Sequence, residues 1–84
     1  MKRARRSSLE SSFGAVLQAK RAAAQVSQER LAELSRLHRT YISQIERGLK
    51  SPSLRVVFAI AAALRIPAHT LIREAEQHMG VPRA

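Results

Sequence analysis

The chain has 84 residues, 15 Lys and Arg against 6 Asp and Glu for a formal charge of +9, no cysteine, and 45% apolar residues with one Tyr and two Phe. A chain this short buries about 60–65% of its unfolded surface, enough for one modest core and little room for a separate catalytic cleft. The lack of cysteine excludes a disulfide framework and a thiolate metal site.

The basic start, Lys2, Arg3, Arg5 and Arg6, is followed by Ser7-Ser8-Leu9-Glu10-Ser11-Ser12 and not by an apolar stretch, so it does not read as a secretion signal. Residues 1–7 are expected to be a basic arm, either simply disordered and solvated or touching nucleic acid nonspecifically. From there apolar residues recur at helical spacing with breakers between the groups, and strand signals are absent. The pattern predicts five short helices over residues 8–79 and a short tail over 80–84.

The first helix runs from Leu9 to Ala24, with Ser7 as N-cap and Glu10 completing a capping box; its buried stripe is Phe13, Val16, Leu17 and Ala24. Ser27 caps the second, Gln28 to Ser35, which buries Leu31 and Ala32, with Leu34 a further candidate. After Arg36-Leu37-His38, a third helix from Arg39 to Arg47 buries Ile42 and Ile45 and stops at Gly48, which accepts a left-handed backbone. Its other face carries Arg39, Thr40, Ser43, Gln44 and Arg47. Pro52-Ser53 marks a turn and a cap before the fourth helix, Leu54 to Leu64. That helix is apolar almost all round, as the centre of a core is. Its longest apolar run, Val56 to Leu64, has nine residues where a membrane span needs about 20. Arg65-Ile66-Pro67 interrupts it, and a fifth helix from Ala68 to His78 presents Leu71, Ile72 and Ala75, with Gly80 and Pro82 at its end.

The charge is unevenly placed. Residues 1–35 carry seven basic and three acidic groups, residues 36–55 five and one, and residues 56–84 three and two. The excess therefore lies in the arm and around the third helix.

Two short helices joined by a three-residue turn, the second with a face of hydrogen-bonding and cationic side chains, make the pattern of a helix-turn-helix. The major groove admits one α-helix, and base edges are read by donors and acceptors on its exposed side. Arg39 can donate two hydrogen bonds to guanine O6 and N7, Gln44 can pair with adenine N6 and N7, and Thr40 and Ser43 can bond to bases or phosphates.

The blocks Ser27-Gln28-Glu29-Arg30-Leu31-Ala32-Glu33-Leu34, Leu37-His38-Arg39-Thr40-Tyr41-Ile42-Ser43-Gln44-Ile45-Glu46-Arg47-Gly48 and Ser51-Pro52-Ser53-Leu54 resemble the lambda-repressor-like helix-turn-helix family (Cro/C1-type, also called XRE). Within it, His38 to Ser43 and the chain length look most like the controller proteins of restriction-modification systems. The resemblance covers roughly residues 11–76. It implies an all-α, five-helix fold, helix three as the recognition helix, and base or phosphate contacts from Arg39, Thr40, Ser43 and Gln44. It further implies a DNA-backbone contact by Gln28, where the helix dipole also favours phosphate, an ion pair between Arg21 and Glu46, and a homodimer joined through helix five and neighbouring parts of helix four.

The chain departs from the family at Arg36, where Gly or Asn is usual because the backbone is often left-handed, at a cost of about 1–2 kcal/mol for a residue with a Cβ. Either Arg36 bears that conformation or the turn differs; in both cases it projects near the DNA backbone. His38 is either a turn residue or a phosphate contact, and Tyr41 is expected to pack in part. Leu71, Ile72 and Ala75 are expected at a dimer interface, since a late helix in so small a chain often shares its apolar face with a second subunit.

His69 and His78 have no partners at metal-ligand spacing, no carboxylate pairs with a suitably placed His, and no phosphate-binding glycine loop or nucleophile elbow appears. No catalytic residue, metal, cofactor, membrane contact or small-molecule effector is expected. The overall expectation is a cytoplasmic, homodimeric, sequence-specific regulator that binds double-stranded DNA at a roughly palindromic operator. An antitoxin-like protein-interaction module that also binds DNA is the alternative, set back by the short stretch after His78. An RNA-binding or membrane-surface helix protein would need exposed aromatics or a one-sided basic stripe.

Overall fold

The computed structural model describes residues 8–80, which form five α-helices: α1 (Ser8–Ala23), α2 (Gln28–Ser35), α3 (Arg39–Glu46), α4 (Leu54–Leu64) and α5 (Ala68–Met79). The expected basic arm, the cap at Ser7 and the stop at Pro82 lie outside the described residues. Among the described residues no single helix is long and apolar enough to cross a membrane.

Local chemistry sets the helix starts. Ser27 Oγ accepts from the Arg30 amide at 3.0 Å and Ser53 Oγ from the Val56 amide at 3.2 Å, each satisfying one of the N–H groups a first turn leaves free. The ends follow a second rule. Gln25, Arg36 and Arg65 all adopt the left-handed conformation, with φ near +60°, and the next amide reaches back to close the helix: Val26 to the Arg21 carbonyl at 3.1 Å, Leu37 to Ala32 at 2.9 Å, Ile66 to Ala61 at 3.0 Å. Val26, Leu37 and Ile66 each pack against the core. The strain at each cap, about 1–2 kcal/mol, is offset by the aliphatic side chain that the reversal turns inward. Of the two possibilities at Arg36, the first holds: it bears the left-handed backbone itself. Gly48 closes α3 in the same way without that cost.

The core draws on every helix: Phe13, Val16 and Leu17 from α1, Leu31 and Ala32 from α2, Ile42 and Ile45 from α3, Val57, Ile60, Ala61 and Leu64 from α4, and Leu71 and Ala75 from α5. Helix α1 packs on α3 and α5, α2 on α3 and α4, and α4 on α5. Lys20 and Glu74 form an ion pair at 2.8 Å, and Ser12 Oγ lies 2.9 Å from His78 Nδ1, both joining α1 to α5.

Four expectations need correcting. Ala24 lies beyond α1 in an exposed turn. Leu34 points outward, because Leu31, Ala32 and Ser35 take the inner face of α2. Helix α4 is buried on one side only: its inward stripe is Val57, Ile60, Ala61 and Leu64, while Leu54 is 70% and Phe58 58% exposed. Leu71 and Ala75 are buried within the single chain, so of the three residues expected at a dimer interface only Ile72, 43% exposed, offers surface to a partner.

Candidate nucleic-acid interface

Helix α3 is held from behind and open in front. Ile42, Ile45 and Glu46 point inward. Residues four apart share a helix face, so Arg39, Ser43 and Arg47 form one row and Thr40 and Gln44 its neighbour. His38, Arg39, Thr40 and Arg47 are exposed, Ser43 and Gln44 half-buried. Arg36 is exposed on the turn before α3. The His38 carbonyl accepts from the Tyr41 and Ile42 amides at 3.0 and 3.1 Å, while its ring makes no cap hydrogen bond. Tyr41 packs against the core. Arg47 Nε donates to Ser43 Oγ at 3.3 Å, and Arg39 Nε lies 3.5 Å from Glu29 Oε2.

The rear anchor is a buried polar network. Arg21 donates from Nε to Glu46 Oε2 at 2.6 Å and from Nη2 to Oε1 at 3.0 Å, while its Nη1 donates to the Val26 carbonyl at 3.0 Å. Gln28 Nε2 also donates to Glu46 Oε1, at 2.9 Å. The Glu46 side chain is 2% exposed and that of Arg21 16%, so the pair ties α1, the start of α2 and the end of α3 together in a largely dry setting. Hydrogen bonding to Glu46 raises the Arg21 pKa above its ordinary value, against a smaller lowering from burial. A raised arginine pKa adds stability that is lost only as pH climbs through that value, so Arg21 stays charged through the neutral range. Gln28, half-buried, thus has its side-chain amide committed to Glu46, while its backbone sits in the first turn of α2.

Gly14 gives α3 its closeness to α1. A Cβ there would run into the Ile45 carbonyl oxygen and lie 2.5 Å from that of Glu46. Neither Gly14 nor the Glu29–Arg39 contact was among the expected site residues. Gly14 had a signal in the sequence, a glycine inside a helical pattern, which costs about 1 kcal/mol relative to Ala unless something approaches closely. Glu29 had none.

A second exposed feature lies between α4 and α5. Leu54, Phe58 and Ile72 line a shallow apolar groove of about 370 Å³, rimmed by His69, Arg73 and Glu76.

A family profile described as helix-turn-helix matches residues 17–71. An uncharacterised HTH-type transcriptional regulator of Mycobacterium tuberculosis is 45% identical over 58 residues, 69% of this chain and 41% of that protein; the chain thus spans about two fifths of that relative's length. Among solved structures, the clp gene regulator ClgR from Corynebacterium glutamicum superposes with a TM-score of 0.83 at 33% identity, over 87% of this chain and 78% of that one. The restriction-modification controller protein C.AhdI from Aeromonas hydrophila does so with a TM-score of 0.72 at 41% identity, over 73% and 92%.

Proposed function

Because the chain belongs to the Cro/C1-type helix-turn-helix family of transcriptional regulators, we propose that it binds double-stranded DNA sequence-specifically, as a homodimer, at a roughly palindromic operator. The observation that carries this reading is the division of α3: donors and acceptors face out while Ile42, Ile45 and the Arg21–Glu46 pair fix the helix from behind. A helix held rigidly with Arg39, Thr40, Ser43 and Gln44 outward suits insertion into a major groove. In this role Arg39 reads a guanine, Gln44 an adenine, and Arg36, His38, Arg47 and the start of α2 at Gln28 contact the backbone. Backbone contacts position the protein and base contacts specify the site.

Arg39→Ala is expected to weaken operator binding by about 1–3 kcal/mol and to relax one base position, measured by fluorescence anisotropy on duplexes varied at that position. An unchanged base preference would remove Arg39 from the readout. Affinity is expected to fall with salt at a slope of about −0.9 per phosphate contacted.

The dimer reading rests on the α4–α5 groove. Large apolar side chains exposed together mark an interaction surface, and a two-fold axis through it would set Phe58 and Ile72 of each copy against the other. Phe58→Asp is therefore expected to give a monomer in sedimentation while leaving the single-chain core intact, and to lower operator affinity by about 100-fold or more through lost bivalency. A dimer of unaltered strength in that variant would place the interface elsewhere.

A further inference from the structure

We infer that Glu29 is a specificity-determining residue, a carboxylate that presents the terminal edge of Arg39 to a base and discourages binding to DNA that lacks it; this rests on the reading of α3 as the recognition helix. Glu29 Oε2 lies 3.5 Å from Arg39 Nε, both side chains being well exposed. Exposed pairs add little to folding, so the consequence of this one lies in what it does to Arg39.

A guanidinium has two edges that present paired donors, one through Nε and one through the two terminal nitrogens. With Nε turned to Glu29, the terminal Nη1 and Nη2 remain open, and two parallel donors are what guanine O6 and N7 require. A long side chain biased toward one orientation by a nearby opposite charge also loses less freedom when it binds.

Glu29 has a second effect. It stands in the first turn of α2, where a DNA phosphate would approach the free amides of the helix start. Its negative charge opposes phosphate there on any duplex. That repulsion is common to all duplexes, whereas the orientation Glu29 gives to Arg39 strengthens binding only where a guanine accepts both terminal donors. Glu29 thus lowers nonspecific affinity more than specific affinity.

The test compares the full chain with Glu29→Gln, Arg39→Ala and the double variant, by anisotropy on three duplexes: one enriched by in vitro selection, the same duplex with the Arg39-dependent base pair exchanged, and a scrambled one. Glu29→Gln is expected to bind the scrambled duplex about fivefold more tightly and to lose about fivefold of its discrimination at the exchanged pair, with no further loss of discrimination when combined with Arg39→Ala. Equal tightening on all three duplexes, or the same loss of discrimination with Arg39 already removed, would overturn the inference and leave Glu29 as plain surface charge. If Arg39→Ala itself kept full discrimination, the recognition-helix reading of Arg39 would fall first, and Glu29 with it.

Discussion

Glu46→Ala is expected to destabilise the fold by about 3 kcal/mol and to lower its melting temperature by about 12–24 °C. The carboxylate accepts three hydrogen bonds, two from Arg21 and one from Gln28, and is almost fully buried. Its removal strands a guanidinium that is 16% exposed and keeps only the Val26 carbonyl. The loss falls at the lower end of the range for a broken buried pair because Arg21 retains that partner and some water. Replacing both residues by apolar side chains of similar size, Arg21→Met with Glu46→Leu, is expected to be more stable than Glu46→Ala, since no unpaired charge remains. Calorimetry on both variants measures the difference; a Glu46→Ala protein melting within about 4 °C of the parent, corresponding to about 1 kcal/mol or less, would mean that the network does not anchor α3.

Gly14→Ala has the next largest expected effect on stability, and its sign is opposite to that of an ordinary helix substitution. In an exposed helix interior the change adds about 1 kcal/mol of stability. Here the new methyl meets the Ile45 and Glu46 carbonyls, backbone atoms that yield only if α3 moves away from α1. Over-packing at the top of its usual range, about 3 kcal/mol, outweighs about 1 kcal/mol of propensity, for a net loss of about 2 kcal/mol, read from the urea midpoint. Stabilisation by Gly14→Ala would show that α1 and α3 do not approach as closely as the structure has them. Both substitutions act on the seat of α3, so both are expected to weaken DNA binding before the chain unfolds.

What could be read in the sequence was what neighbouring residues decide among themselves. Ser27, Ser53 and Gly48 act within one turn of helix, and the starts of α2 and α4 and the end of α3 follow from them. The outward turn of Leu34 and Phe58 could not be read this way, because which side of a short apolar helix is covered depends on helices that arrive from elsewhere in the chain. The left-handed caps at Gln25 and Arg65 left a fainter trace, an aliphatic residue just after the helix end. At Arg36 only the family resemblance marks the position. Arg21 and Glu46 are separated by 25 positions, and resemblance alone suggested pairing them. Glu29 and Arg39 stand on different helices, so their contact needed the turn to be built first. The site was legible as a face of α3 backed by Ile42 and Ile45, and, apart from the Arg21–Glu46 pair that the resemblance implied, illegible in the polar contacts that support or tune that face.

In vitro selection of bound duplexes from a random pool, with the unmodified chain, reads out sequence-specific recognition by two copies of α3 in a single experiment. The expected consensus is two inverted half-sites with centres about 34 Å, or about 10 base pairs, apart, each containing a guanine that Arg39→Ala no longer selects. A pool that stays random after repeated rounds would rule out sequence-specific recognition, and a single half-site without a symmetric mate would rule out the paired α3 helices.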